Sequence, residues 1–125
     1  HCGETGCPAS VGLPYFNDFS RYRFDGGEIL PLCWTEGKGA LSSSTTLALG
    51  TSFWTYDGFG NVGADGSAKI NLWSTNKFEW FVSPVFDLGT DPNTHRYIEF
   101  DVAMTDYFNT GVGVVGVDDS LAFLI

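Results

Sequence analysis

The chain has 125 residues, of which 43% are hydrophobic and 16% are aromatic, and this composition indicates one folded domain rather than a disordered polypeptide. Fifteen acidic and six basic residues give a net charge of −9, which argues against binding to nucleic acid because phosphates would be repelled. No apolar run reaches the length of about 18 residues that a membrane-spanning helix needs, so membrane insertion is not expected.

The first residues hold two of the three cysteines. Residues 1–12 are predicted to be a connector from an upstream module, and the domain is expected to cover residues 13–125. A small disulfide loop between Cys2 and Cys7 is geometrically feasible, and it would leave Cys33 free or paired with something outside the chain. A disulfide near the N-terminus fits an exported protein.

Short runs rich in β-branched and aromatic residues, separated by glycine-rich turns, predict strands along most of the chain. The predicted strands are 33–35, 47–56, 68–73 and 77–86, the last interrupted at Pro84. Residues 36–46 are predicted to be a polar loop. No stretch has a sustained helical period, so the sequence predicts an all-β fold, and regularly spaced short strands favour a sandwich such as a jelly roll.

The closing segment combines two apolar runs with a glycine-rich, acidic middle. Apolar residues alternate from Ile98 to Met104, which predicts a half-buried strand over 97–104, and the continuous run 121–125 predicts a strand buried on both faces. Because the chain stops inside that run, we expect it to be part of a longer protein whose sandwich is incomplete here. A missing strand would then come from another chain or segment.

Catalytic motifs are weak in this sequence. Glu99 and Asp101 begin a strand motif, ExDxxE, that supplies two catalytic glutamates in a group of jelly-roll glycosidases. A retaining glycosidase needs a second carboxyl group about 5–5.5 Å from the first, and Met104 stands at that position. The chain is therefore predicted not to be an enzyme.

Carboxylates at the junctions of strands and loops are candidate calcium ligands, because calcium prefers oxygen. In the closing segment these are Asp118 and Asp119. The alternative for the Asp118–Asp119 pair is a capped turn before a strand. For Asp18, which lies between aromatic residues, the alternative is an ion pair with the arginines that follow it.

Aromatic side chains are the candidate ligand contacts. A sugar-stacking platform could be formed by Trp54, Tyr56, Trp73 and Trp80. The alternative is core packing, since a small β core needs many aromatic rings. Exposed coplanar rings on one face would favour sugar binding, and buried rings would favour the core.

The order of several motifs resembles one known family. The motifs are LPYFNDF, LPLCWTEGKG, EWFVSPVFDLG, YIEFDVAMTDYFNT and GVDDSLAFLI, and they cover residues 13–125. In this order they resemble the cleaved-adhesin or choice-of-anchor J family, which is similar in fold to the MAM domain and common in exported proteins of the Bacteroidetes.

The resemblance implies a two-sheet, concanavalin-like jelly-roll sandwich that serves as a non-catalytic adhesion module of a larger secreted or surface protein, often exported by the type IX route. Its partners would be a protein or glycan at the cell surface and the remaining segments of its own parent protein. The family also implies structural calcium, carried here by Asp18 and Asp119 as first candidates and by Asp118 and Asp101 as second candidates. The alternative function is a carbohydrate-binding module of a secreted enzyme.

Overall fold

A computed structural model describes residues 6–40, 48–72, 78–114 and 116–125 of the chain. Its ordered elements are short strands and one 3-10 turn: β1 (Arg23–Phe24), β2 (Glu28–Ile29), β3 (Thr35–Lys38), β4 (Ala48–Leu49), β5 (Thr55–Gly58), the turn Phe59–Asn61, β6 (Gly66–Lys69) and β7 (Glu79–Val82). All paired strands are antiparallel, and these described ranges contain no α-helix. The all-β prediction is confirmed at this level.

The largest sheet has three strands in the order β4-β3-β7, with β3 at its centre. Thr35 lies opposite Val82 and Lys38 lies opposite Glu79, so the full length of β3 pairs with β7. Successive side chains of a strand point to opposite faces, and Trp80 therefore faces away from the side that Phe81 occupies.

Two smaller ladders, β1–β2 and β5–β6, complete the described strands. The β5–β6 ladder ends where Gly58 lies opposite Gly66. A Cβ on Gly58 would lie 1.8 Å from the carbonyl oxygen of Val62, so only glycine allows the turn to fold back this closely.

The core lies on the Phe81 face of the three-stranded sheet and is built from rings. Phe81 has its centroid 4.7 Å from that of Trp34, 5.3 Å from that of Tyr22 and 5.7 Å from that of Trp54, all in stacked arrangements. Tyr22 is 0% exposed. Aromatic pairs at these separations add to the stabilisation that burial of their surface gives.

A disulfide joins Cys7 to Cys33 across a sequence separation of 26 residues, with a Cα–Cα distance of 5.6 Å. The Cys2–Cys7 loop, which the sequence left possible, is therefore excluded here, and Cys33 has its partner within the chain. The pairing follows from the path of the N-terminal residues, because Val11 bridges Phe86 and Tyr15 accepts a hydrogen bond of 2.9 Å from the indole of Trp34. Cys2 lies outside the described residues.

The strands predicted over 97–104 and 121–125 do not form in the described structure, and every residue of both runs is exposed. An alternating apolar pattern yields a strand only where a neighbouring strand and a core receive it, and neither lies against these runs here. The other predicted strands are present with shorter or shifted bounds, and β3 extends into residues that were predicted to be loop.

Candidate functional site

Two of the four candidate sugar-binding rings belong to the core. Trp54 stacks on Phe81, and its indole nitrogen donates a hydrogen bond of 3.3 Å to the carbonyl oxygen of Glu79. Tyr56 meets the edge of the buried Tyr22 ring, with centroids 6.0 Å apart. Both rings are half-buried, which agrees with the core-packing alternative.

The remaining candidate rings do not extend these two into one platform. Trp80 lies on the opposite face of the sheet from Phe81, and its indole nitrogen donates a hydrogen bond of 2.7 Å to the carbonyl oxygen of Gly39. Trp73 lies outside the described residues. The rings that the structure describes are thus divided between two sides of a sheet.

Asp18 lies in a tight turn beside an open groove. Its carboxylate accepts a hydrogen bond of 3.0 Å from the backbone N–H of Ser20, and this bond lowers the pKa of Asp18. The groove has a volume of about 580 Å³, and Asp18, Arg21, Phe16 and the Cys7–Cys33 disulfide contribute to its lining.

Asp119 closes its own turn. Its carboxylate accepts a hydrogen bond of 3.1 Å from the N–H of Gly116, and its own N–H donates one of 3.1 Å back to the Gly116 carbonyl. This arrangement is the capped turn that was the alternative for the Asp118–Asp119 pair. Asp101 and Asp118 are exposed.

The four candidate calcium ligands are not gathered into one group. Among the described residues, no cluster of three or more His, Cys, Asp or Glu side chains is arranged to hold a metal ion. Calcium takes about 6–8 oxygen ligands, and the carboxylates of Asp18 and Asp119 each serve a local turn. A calcium site at these residues stays a prediction.

A polar cluster that the sequence did not single out joins the buried Tyr22 and Glu36 to Glu28, which is exposed at the surface. Glu36 is 8% exposed and accepts a hydrogen bond of 2.8 Å from the hydroxyl of Ser52. Burial, and then the charge of Glu36, raise the pKa of Glu28, while a hydrogen bond with Thr55 opposes this rise. Sequence reasoning missed Glu36 because it assigned residues 36–46 to a polar loop.

Tyr22 completes this cluster. Its hydroxyl is buried and has no hydrogen-bond partner among the described groups. Burial first, and then the charges of Glu28 and Glu36, raise the pKa of Tyr22 far above its usual range. Because partial desolvation disfavours the ionised form of Glu28, the stability of this region depends on the protonation of that carboxyl group.

The loop 105–109 is fastened to the β5–β6 turn by Asn61. The Asn61 side-chain amide donates hydrogen bonds to the hydroxyl of Thr105 at 2.8 Å and to the carbonyl oxygens of Asp106 and Asn109. Lys69 of β6 lies 5.1 Å from the centroid of the Phe108 ring and forms an ion pair with Asp57. Hydrogen bonds from Asn61 therefore fix the loop against the β5–β6 turn, while the residues on either side of the loop are exposed.

Residues 97–104, which we call the acidic apolar strip, form an exposed surface. Ile98 is 64% exposed, Phe100 is 53% exposed and Val102 is 56% exposed. The strip ends at an isolated antiparallel bridge between Thr105 and Val112, and the ring of Phe100 stacks on that of Phe123 with centroids 4.0 Å apart.

The charge of this region has one sign. Residues 97–125 hold five carboxylates and no lysine, arginine or histidine. Large apolar side chains are also exposed around the strip, at Tyr107, Val112, Leu121 and Leu124 among others. The region therefore combines exposed apolar surface with negative charge.

Comparisons with models of protein families, with curated proteins and with solved structures found no match to this chain. Within the described ranges, no helix is both long enough and apolar enough to cross a membrane.

Proposed function

We propose that this chain is a non-catalytic adhesion or interaction module of a larger exported protein and acts outside the cell or at its surface. One observation carries the proposal, namely the exposed apolar surface of residues 97–125. Exposed apolar side chains that follow one another along a segment are typical of regions that bind other macromolecules, because contact with water disfavours apolar surface.

The Cys7–Cys33 disulfide supports an extracellular location, since disulfides persist in oxidising compartments and are rare in the cytosol. The sequence resemblance to the cleaved-adhesin or choice-of-anchor J family points the same way, including export by the type IX route.

The architecture in this proposal is a two-sheet jelly roll. The described antiparallel sheets are compatible with it, and the alternating residues of the acidic apolar strip supply the pattern of a further strand. Calcium belongs to the proposal as a stabilising ion bound through Asp18 and Asp119, with Asp118 and Asp101 as further ligands.

A carbohydrate-binding module is the alternative function. It has less support, because Trp54 and Tyr56 pack into the core and Trp80 faces the other side of the sheet. The exposed apolar surface instead favours a protein partner.

Two arrays test the proposal on the intact chain. The labelled chain is applied at equal concentration to immobilised peptides of varied sequence and to immobilised oligosaccharides. We expect saturable binding on the peptide array. Binding confined to the oligosaccharides would establish the alternative, and the absence of saturable binding on both arrays would contradict an interaction module.

A further inference from the structure

The backbone of the acidic apolar strip is available for strand pairing. Residues 97–104 belong to no strand or helix, and among the described residues their backbone link to the rest of the fold is the hydrogen bond of 3.0 Å from the Gly113 N–H to the Met104 carbonyl. A segment with unpaired backbone N–H and C=O groups is a template on which another extended chain can pair.

The side chains of the strip follow the period of a strand. In an extended conformation Ile98, Phe100, Val102 and Met104 share one face, while Glu99 and Asp101 share the other with Tyr97 and Ala103. All eight residues are exposed, so both faces can be reached by a partner.

The charge decides which partner fits. Glu99 and Asp101 lie two residues apart on one face. The sequence of residues 97–125 contains no lysine, arginine or histidine that could offset their charge. Opposite charges on facing strands stabilise pairing, while like charges directly opposite each other destabilise it. A second copy of this chain would bring carboxylates against carboxylates, and the net charge of −9 would add repulsion.

We propose that the acidic apolar strip binds an extended peptide segment in which basic and apolar residues alternate, and that this segment pairs with residues 97–104 as an added strand. Its basic residues lie beside Glu99 and Asp101 on one face of the pair, and its apolar residues lie beside Ile98 and Val102 on the other. This inference rests on the proposed interaction function and names the chemistry of its partner.

The probe is a fluorescent peptide of about eight residues that alternates lysine and valine, and its binding to the intact chain is followed by fluorescence anisotropy. A second peptide has the same sequence but carries N-methyl groups on every other amide. That peptide keeps the charge and apolar surface and loses the N–H donors of one edge. We expect the first peptide to bind and the second to bind at least about tenfold more weakly.

Charge variants locate the site. Replacing Glu99 by Gln and Asp101 by Asn together should weaken binding of the lysine–valine peptide about tenfold, since two facing charge pairs are lost. The matched control replaces Asp25 and Asp65 by Asn, which changes the net charge equally at two exposed positions outside the strip, and it should bind as the unmodified chain does.

Several outcomes would overturn the inference. Equal binding of the two peptides would indicate charge attraction without strand pairing, and an equal loss in both charge variants would indicate attraction by the whole molecule. A chain that dimerises in sedimentation while ignoring the peptide would make a second copy the occupant. If the chain binds ligands on the peptide array but not the lysine–valine probe, this inference fails and the interaction function stands.

Discussion

The Cys7–Cys33 disulfide closes a long loop, and its removal gives a test with a calculable magnitude. In the chain-entropy model, a cross-link over 26 residues lowers the entropy of the unfolded chain by about 12 cal/mol/K, or about 3.5 kcal/mol at room temperature. Cys33→Ser should therefore lower the free energy of unfolding by roughly that amount. Cys7 is exposed, so reduction of the unmodified chain with dithiothreitol should reproduce the loss.

Cys2→Ser is the matched control, because it removes one cysteine and leaves the Cys7–Cys33 bond intact. Urea unfolding of the oxidised proteins, followed by tryptophan fluorescence, measures the free energies, and a thiol count on the denatured oxidised proteins checks the bond. The Cys7–Cys33 assignment is refuted if Cys2→Ser lowers the free energy of unfolding by about 2 kcal/mol, the value that the same model gives for the short loop between Cys2 and Cys7, while Cys33→Ser leaves it unchanged.

Three further predictions concern the core, pH and calcium. Phe81→Ala should lower the free energy of unfolding by about 3 kcal/mol, because the Phe81 ring stacks on several core rings. The control is Phe16→Ala, which removes a ring that is 86% exposed and should change the free energy of unfolding by less than about 0.5 kcal/mol. Equal losses of the two variants in urea unfolding would contradict a core centred on Phe81. Burial raises the pKa of Glu28 in the folded state, so the chain loses stability as pH rises from the unfolded pKa, near 4.5, through the folded pKa. Glu28→Gln should therefore raise the melting temperature at pH 7 more than at pH 4, and a pH-independent change would oppose this assignment. EDTA should lower the melting temperature of the unmodified chain and leave that of Asp119→Ala unchanged, and a melt insensitive to EDTA in both would remove calcium from the proposed function.

Local sequence patterns predicted the approximate positions of those strands that pair with another strand in the structure. β7 holds the aromatic residues Trp80 and Phe81 and the β-branched Val82, which favour a strand, and it pairs with β3 over its full length. Their bounds were less predictable, because Glu36 and Gly37 resemble loop residues until Phe81 and Trp80 are placed opposite them. Pairing across more than forty residues overrides the local preference.

The same limit explains the closing segment. The alternation from Ile98 to Met104 predicts which residues would share a face if a strand formed. It does not predict whether another strand lies close enough to pair with it. Pairing of the cysteines was likewise outside the reach of spacing, since three cysteines allow three pairs and only the path through Val11 and Tyr15 selects Cys7 with Cys33.

The sequence predicted which residues could belong to a functional site, but it did not predict the contacts that those residues make. Asp119 was predicted either to bind calcium or to cap a turn before a strand, and its carboxylate does cap a turn, although no strand follows it in the described structure. Trp54 and Tyr56 were identified as aromatic contacts, and they are used in the core. The buried Glu36 was not predicted, because burial of a carboxylate depends on distant segments that cover it.

The Cys7–Cys33 bond also sets how the domain would respond to mechanical load. A pulling force that enters on the N-terminal side passes through the bond to Cys33 and reaches β3, the central strand of the largest sheet, without stretching the residues between the two cysteines. That segment of 26 residues would otherwise extend by about 90 Å, at about 3.4 Å per residue. Under tension the oxidised domain is thus a shorter tether than the reduced one, and single-molecule extension in the presence and absence of reductant would measure the difference.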